Sequence, residues 1–289
     1  MCKEIQLINQ YCTVCHYYDT ILVAEAQRLS NNFCPEFTDE ECITIYLWGI
    51  ANQKYEVKAA YDFIVEYYAG WFPKLPGYGS FVKRVCNLAE TFRLLAEVLL
   101  CEQELDPDEV SHLLDSMPII VANESRSGTA KAAKEICNKG YCGSKDMYYY
   151  GVKLHSLAQK QHKTLPKPTM LWLTPASTHD LATAKDELGD LHDIDVFADK
   201  AYIDSGWIRD MRELNNLAVT TPVKLTKGQR FLNSDDKIYN SIVSAIRQPI
   251  DSFFNWIQQK TNIQQASKVR STKGLIAFVF ARIAACFLT

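Results

Sequence analysis

The sequence predicts two regions of different fold class: an all-α region at the N-terminus and, after it, an α/β region in which helices flank a mixed five-stranded sheet. In residues 43–50 and 59–68 apolar side chains recur at spacings of three and four, which is typical of amphipathic helices. An acidic, proline-containing segment at residues 102–109 marks the change between the regions. The segments that follow are short and apolar, as buried strands are. One of them, at residues 194–202, ends its apolar run at Asp199, and the α/β region is interpreted around it.

The composition is that of a globular protein with room for two hydrophobic cores. The chain has 289 residues, 47% of them hydrophobic and 22% charged, which excludes a disordered chain. We expect a helical domain at residues 1–108 and an α/β domain with a C-terminal helix at residues 109–289. No apolar run is long enough to span a bilayer, and the N-terminus lacks a signal-peptide pattern. We therefore expect a cytoplasmic protein with no membrane partner, whose ten cysteines are mostly small apolar residues.

The distribution of charge is more informative than the net charge of −3. Residues 1–123 carry 8 basic and 18 acidic side chains, whereas residues 124–167 carry 9 basic and 3 acidic ones. Residues 257–289 carry 5 basic side chains and no acidic one. Two positive regions in the second half of the chain could therefore bind a polyanion such as DNA. Solvated surface lysines are the equally weighted alternative.

The N-terminal region contains recognisable helix starts. Thr38 can cap a helix whose first turn is acidic. After a turn at residues 73–79, Ser80 can cap a single long helix over residues 81–100. Two interpretations of such a bundle stay open: a helix–turn–helix unit that contacts DNA, and a structural or dimerising bundle.

Residues 12–16, Cys-Thr-Val-Cys-His, match the short pattern for covalent attachment of a c-type haem. That attachment needs an exported, oxidising setting, which the sequence does not indicate. We interpret Cys12 and Cys15 as cysteines on a helix face, with haem or zinc as the minor alternative.

The α/β region divides into apolar segments and turns. Strands are predicted at residues 112–121, 148–157, 169–173, within 194–202, and at 217–221. Helices are predicted from the turn at residues 174–180 through Leu188, over 207–214, over 239–259 with an interruption at Pro249, and over 274–287. Residues 125–147 and 225–237 are predicted to be loops.

Three aspartates lie where they could share a metal site: Asp115 within the first strand, Asp199 at the end of the fourth, and Asp251 on a late helix. A charge at the end of a core strand needs solvation or a partner, and α/β proteins place their sites at that edge of the sheet. Carboxylate oxygens suit Mg²⁺. Two such ions about 4 Å apart can activate a water or a 3′-hydroxyl and stabilise the leaving oxygen at a phosphodiester.

Six short segments carry a resemblance to a known family. They are residues 114–118 (Leu-Asp-Ser-Met-Pro), 140–145 (Gly-Tyr-Cys-Gly-Ser-Lys), 150–155 (Tyr-Gly-Val-Lys-Leu-His), 173–180 (Leu-Thr-Pro-Ala-Ser-Thr-His-Asp), 198–202 (Ala-Asp-Lys-Ala-Tyr) and 247–254 (Arg-Gln-Pro-Ile-Asp-Ser-Phe-Phe). In this order, from residue 112 onward, the chain resembles the DDE-type transposases of bacterial insertion sequences. The N-terminal helices resemble the leading segment of the same group through less specific motifs.

The resemblance implies a ribonuclease H-like catalytic domain that cleaves DNA at the ends of its element and transfers the strand. It implies that Asp115, Asp199 and Asp251 are the catalytic carboxylates and the metal ligands. The implied cofactor is a pair of Mg²⁺ ions, with Mn²⁺ as an alternative. The implied partners are the element's terminal repeats, target DNA, and further copies of the chain in a homo-oligomer on DNA.

One catalytic position departs from the family pattern. Asp251 stands where the family has glutamate, so its oxygens fall about 1.5 Å short unless the helix shifts, and such displacements can be costly in catalysis. Ser244 and Gln258 replace the tyrosine and lysine of related elements. An active enzyme is one hypothesis; a catalytically impaired relative that retains only DNA-end binding or subunit association is the other. A glycosidase with paired carboxylates is disfavoured by the ordered motifs and the basic segments.

Seven basic residues are candidates for contacts with the DNA backbone, which position DNA without reading its sequence. They are Lys145, Lys153, Lys200, Arg247, Lys268, Arg270 and Lys273. Arg247 is expected one helical turn before Asp251, where it could bind a phosphate. His155 and Tyr202 are expected to be packed side chains, and Asp180 a helix cap.

Overall fold

The structure is a computed structural model that describes residues 2–27 and 35–288. Contacts divide the chain into a helical unit (residues 1–102, 130–135 and 257–289) and a sheet unit (residues 103–129 and 136–256). The predicted domains, 1–108 and 109–289, differ from these units in where they place residues 103–108, 130–135 and 257–289. Cys34 lies outside the described residues.

Within residues 2–27 and 35–102, the helical unit contains five α-helices. They are α1 (Lys3–Thr20), α2 (Asp39–Ala51), α3 (Val57–Tyr67), α4 (Tyr78–Asn87) and α5 (Ala89–Cys101). Thr38 caps α2 as predicted: the peptide N–H of Glu41 donates to its hydroxyl, and the Glu41 carboxylate accepts from the N–H of Thr38 at 2.8 Å. Cys12 and Cys15 lie on α1, in agreement with their interpretation as cysteines on a helix.

The predicted single helix over residues 81–100 is two helices, so that prediction is wrong. Helix α4 begins at Tyr78, after Gly77, and not behind a Ser80 cap. Leu88, with ψ 18°, separates α4 from α5. Leu88 is buried, as are Val85 before it and Phe92 after it. The hydrophobic periodicity therefore continues across the break and does not reveal it.

The C-terminal helix α10 (Thr272–Phe287) packs against α5, α2 and α4. The prediction of a helix over residues 274–287 is confirmed. Ten of its residues are buried, because a helix that is apolar on all sides needs neighbours on all sides. Within it, the guanidinium of Arg282 donates to the Tyr46 hydroxyl and to the carbonyl oxygens of Thr261, Phe278 and Tyr55. Because α10 is buried among these helices, residues 257–289 belong to the helical unit.

The sheet unit contains one mixed sheet. Its strands are β1 (Ser111–Ala122), β2 (Asn138–Cys142), β3 (Met147–Gln159), β4 (Lys167–Pro175), β5 (Asp195–Phe197) and β6 (Ala218–Thr220). Strand β3 pairs antiparallel with β1 along one edge and with β2 and β4 along the other. Strands β5 and β6 extend the sheet beyond β1 in parallel. This mixed sheet with flanking helices, after an all-helical N-terminal region, confirms the predicted fold class.

The sheet has six strands in place of the predicted five, because residues 138–142 form β2 and not a loop. Gly140, one of the glycines that favoured a loop in the prediction, is required here by close packing against Ala176. A Cβ atom on Gly140 would lie 2.3 Å from the carbonyl oxygen of Ala176, so only glycine permits this approach.

Four helices accompany the sheet in sequence: α6 (Glu124–Ser127), α7 (Asp180–Glu187), α8 (Ser205–Asn215) and α9 (Ser234–Thr261). Helix α9 contains Pro249 without a break and begins inside the predicted loop 225–237, so both of those predictions are wrong. A proline removes one backbone hydrogen bond, and the buried side chains of Ile250 and Phe253 keep the helix packed. No helix in the described ranges is both long and apolar enough to cross a membrane.

Candidate active site

Asp115 lies in the middle of β1 with its side chain largely buried, 17% exposed. Its neighbour Leu114 packs into the apolar core of the sheet unit, and Asp115 lies on the opposite face because strand side chains alternate. The peptide N–H of Ser116 donates to Oδ1 of Asp115 at 2.8 Å. Across the sheet, Ser156 is its Cα partner on β3. The Ser156 hydroxyl is buried without a hydrogen-bond partner among the described residues.

Asp199 stands beside Asp115 at the end of β5. Strands β1 and β5 are parallel, and Leu113 pairs with Phe197. Asp115 lies two residues after Leu113 within β1, and Asp199 lies two residues after Phe197, just beyond the end of β5. The register therefore brings the two aspartates to the same part of the sheet. The Asp199 side chain caps the short 3₁₀ helix that follows β5, accepting the peptide N–H of Ala201 at 2.6 Å.

Arg247 and Asp251 reach this face from α9. A guanidinium nitrogen of Arg247 lies 3.3 Å from Oδ2 of Asp115 and 3.9 Å from Oδ2 of Asp251. The two carboxylate oxygens are therefore at most about 7.2 Å apart, which is the sum of those distances. Arg247 and Asp251 are one helical turn apart, as expected. Unlike Asp115, the Asp251 side chain is 61% exposed.

The charges in this cluster are unbalanced, and the pKa of Asp115 reflects it. Burial is the main cause that raises the pKa of Asp115 to about 7, and the charges of Asp199 and Asp251 raise it further. The Arg247 guanidinium and the Ser116 N–H act in the opposite direction. One guanidinium thus stands near Asp115 and Asp251 while Asp199 adds a third negative charge, and the site favours a proton or a further cation.

The residue types suit a divalent metal ion. Three carboxylates offer only oxygen ligands, which Mg²⁺ prefers, and a divalent cation would offset their combined negative charge. Across residues 2–27 and 35–288, no three His, Cys, Asp or Glu side chains converge closely enough to ligate one ion. In this arrangement the positive charge next to Asp115 comes from Arg247.

Lys153, a predicted DNA contact, is paired inside the sheet unit. Its ammonium group donates to the Thr178 carbonyl oxygen and to Oδ1 of Asp180, each at 2.8 Å. A contact between Lys153 and DNA would have to break this pair. The predicted cap role of Asp180 is wrong: His179 is the N-cap of α7, and Asp180 is its first residue.

His155 and Tyr202 are packed side chains, and these predictions are confirmed. His155 is fully buried, its Nε2 lies 2.8 Å from the Thr174 hydroxyl oxygen, and its ring stacks on Trp172. Burial lowers the pKa of His155 to about 4, so the ring is neutral at physiological pH. Tyr202 is 1% exposed.

The other predicted DNA contacts are exposed lysines and one arginine. Lys145 and Lys200 lie on the sheet unit, with Lys200 directly after Asp199. Lys268, Arg270 and Lys273 lie on the helical unit.

Sequence reasoning missed three further lysines as site candidates. Lys83, Lys131 and Lys134 line the same cavity as Arg270 and Lys273. The basic excess of residues 124–167 was a signal for Lys131 and Lys134, but no local pattern connected them with Lys83.

Comparison with protein-family models gives a match. The family model described as "Transposase DDE domain" matches residues 107–271, more than half of the chain. No curated protein and no solved structure matches the chain. The matched range contains the whole sheet, α9 and all three aspartates of the cluster. The chain therefore belongs to the transposase DDE domain family.

Proposed function

We propose that this chain is an insertion-sequence transposase that cleaves DNA phosphodiester bonds at the ends of its element and transfers the strand into target DNA. Family membership supports a DNA substrate. The observation that carries the proposal is the approach of three aspartates from different parts of the sheet unit. Arg247 lies 3.3 Å from Asp115 and 3.9 Å from Asp251, and the negative charge of Asp199 acts on Asp115.

In this proposal Asp115 and Asp199 hold the divalent cations from the sheet, and Asp251 holds them from α9. Bound Mg²⁺, or Mn²⁺ in its place, supplies the Lewis acidity that activates the attacking hydroxyl and stabilises the leaving oxygen. The sheet fixes Asp115 on a paired strand and holds Asp199 just past the end of the neighbouring strand, which limits their displacement. Arg247 changes partner: once the carboxylates are neutralised, its guanidinium can bind a phosphate oxygen of the DNA.

The test is cleavage of a labelled duplex that carries the DNA flanking the gene, with and without Mg²⁺. Asp199→Asn keeps the shape of the side chain and removes its charge, and we expect a loss of at least about a thousandfold, equivalent to several kcal/mol of transition-state stabilisation. Asp195→Asn is the matched control, because it makes the same change four residues earlier on the same segment. Equal cleavage rates for Asp199→Asn and the wild type would refute the proposal.

A second candidate is a relative that binds element ends but no longer cuts them. It is favoured by Asp251, which is exposed, stands 3.9 Å from Arg247, and replaces the longer glutamate. Asp251→Glu separates the two functions. Cleavage by the wild type, or cleavage restored by Asp251→Glu, supports the enzyme, whereas end binding without cleavage by either protein supports the impaired relative.

The proposal includes assembly of several copies on DNA. Sedimentation of the protein with and without the labelled end duplex tests this part. A complex that contains a single protein chain in total at every protein concentration would contradict it.

A further inference from the structure

We propose that the helical unit carries a DNA contact of its own: a basic cavity that binds the phosphate backbone of duplex DNA. The cavity has a volume of about 490 Å³ and is bordered by α4, by residues 131–135 and by the start of α10. All of its lining residues belong to the helical unit. The inference rests on the proposed function, because it takes DNA as the ligand.

Five cationic side chains from three separate parts of the sequence line this cavity, against one carboxylate. The cations are Lys83 on α4, Lys131 and Lys134 in the segment before β2, and Arg270 and Lys273 around the start of α10. The carboxylate is Glu135. Packing like charges together costs free energy unless a counter-charge arrives, so this gathering favours an anionic ligand.

The segment that carries Lys131 and Lys134 is anchored. Ala133, between them, is 4% exposed and has φ 49°, a left-handed conformation that non-glycine residues rarely adopt. The two lysines are exposed. The buried alanine therefore fixes the backbone, and the ammonium groups remain available to solvent.

The single carboxylate does not neutralise the cavity. The Thr272 hydroxyl donates a hydrogen bond to the Glu135 carboxylate. This bond is the largest of the causes that lower the pKa of Glu135. Within the described residues, no carboxylate lies within ion-pair distance of the five cations. One nitrogen of Arg270 donates to the carbonyl oxygens of Ser267 and Val269, which holds its guanidinium in place.

The attraction comes from side chains and not from the N-terminus of α10. The Ser271 hydroxyl already accepts the peptide N–H of Gly274 at 3.1 Å. An anion in the cavity would therefore interact with the ammonium and guanidinium groups.

The lining favours the backbone of duplex DNA over other polyanions. Duplex DNA carries one negative charge per about 1.7 Å of its axis, so neighbouring phosphates can meet several cations at once. Single strands are bound through aromatic side chains on which bases stack, and among the described residues that line the cavity none is aromatic. The expected contact is therefore independent of DNA sequence.

The experiment measures binding of the full chain to a labelled duplex of arbitrary sequence at several salt concentrations. The test variant combines Lys83→Gln, Arg270→Gln and Lys273→Gln. The control variant combines Lys3→Gln, Lys58→Gln and Lys74→Gln, which removes the same charge from exposed positions elsewhere in the helical unit. Thermal unfolding of both variants establishes that they are folded.

We expect the test variant to lose roughly tenfold or more in affinity and to reduce the salt slope by about 0.9 for each lost phosphate contact. The control variant should bind as the wild type does. Equal affinities of the test variant and the wild type, or equal losses in both variants, would overturn the inference. Tighter binding of poly-glutamate than of duplex DNA would also overturn it and would indicate an acidic polypeptide as the ligand.

Failure of this inference can be distinguished from failure of the proposed function. Asp199→Asn should bind the duplex as tightly as the wild type while losing cleavage. If the wild type cleaves and the test variant binds DNA normally, only the inference about the cavity fails. If the test variant binds DNA more weakly than the wild type but the wild type never cleaves, only the proposed function fails.

Discussion

Both units bury an aspartate beside an arginine, but the two pairs are built differently. In the helical unit, Asp39 accepts two hydrogen bonds from Arg84, one of them from Nε at 2.6 Å, and a third from the Tyr18 hydroxyl at 3.1 Å. In the sheet unit, Asp115 receives one contact from Arg247, at 3.3 Å. The first carboxylate has its acceptors filled by a bidentate partner, and the second does not.

The difference separates a structural pair from a site that is ready for a ligand. A bidentate arginine–carboxylate pair with a further donor satisfies both buried charges. Asp115 instead lies near two more carboxylates, which raise its pKa together with burial. Groups perturbed in this way by burial and by a like charge are candidates for function. Four predictions test this comparison.

The largest expected effect on stability is in the helical unit. Asp39→Ala leaves the buried guanidinium of Arg84 without its partner, and we expect the free energy of unfolding to fall by about 3–5 kcal/mol. Urea denaturation measures it. Asp62→Ala, which removes an exposed ion pair with Lys58, is the control and should cost under about 1 kcal/mol. Similar small losses for both variants would show that the Asp39–Arg84 pair is not stabilising.

The second prediction concerns Mg²⁺. Because the cluster favours an added cation, Mg²⁺ at a hundred times its dissociation constant should stabilise the wild type by about 2.7 kcal/mol. The stabilisation should be much smaller for Asp115→Asn and for Asp199→Asn. Thermal unfolding with and without Mg²⁺ measures it, with Asp39→Ala as a control that keeps the metal response. An equal response of the wild type and both site variants would contradict the assignment of the ligands.

The third prediction concerns pH in the absence of metal. The pKa of Asp115 is about 7 in the folded chain, above the usual value of 3.8, so the folded state holds the proton more tightly. Its contribution to stability is therefore fully present below about pH 4 and is lost as the pH rises through 7. Asp115→Asn should be more stable than the wild type by about 1 kcal/mol or more at pH 8, and the difference should shrink as the pH falls and vanish below about pH 4.

The pH prediction compares the variant with the wild type because other groups titrate in the same range. Burial lowers the pKa of His155 to about 4, which destabilises both proteins as the pH falls from about 6.5. That effect cancels in the difference. A difference between the variant and the wild type that is constant from pH 5 to pH 8 would contradict the raised pKa of Asp115.

The smallest expected effect on stability is that of Asp251→Glu. The side chain is mostly exposed, so the free energy of unfolding should change by less than about 0.5 kcal/mol. The longer side chain reaches farther toward Asp115, and we expect the cleavage rate to rise severalfold. The two measurements are urea denaturation and cleavage of the labelled end duplex. A large loss of stability would show that Asp251 belongs to a structural pair like Asp39.

Prediction from sequence succeeded where burial and local periodicity agree. Strands β1, β3 and β4 and helix α8 were placed close to their observed bounds, because their apolar residues follow the period of the element they form. It failed at β2, at Leu88 and at Pro249. In each case a single glycine, leucine or proline is accommodated by packing against residues that are distant in the sequence.

The three aspartates were proposed as a site from their positions and from the resemblance, and their role as metal ligands stays a prediction. In the structure Arg247 contacts Asp115 and lies 3.9 Å from Asp251, and the charge of Asp199 acts on Asp115. The contact between Arg247 and Asp115 was not predicted, since these residues are 132 positions apart. The pairing of Lys153 with Asp180 was missed for the same reason.

The sequence by itself determined the fold class, the order of most elements, the acids that can form a site and the segments that carry positive charge. These follow from local periodicity and composition, which act over a few residues. The tertiary structure decided which charges meet. It left Asp115 beside one guanidinium and two other carboxylates, gave Asp39 a complete partner, and gathered Lys83, Lys131 and Arg270 around one cavity. The physical reason is that side-chain contacts depend on strand register and helix packing, which only the folded chain sets.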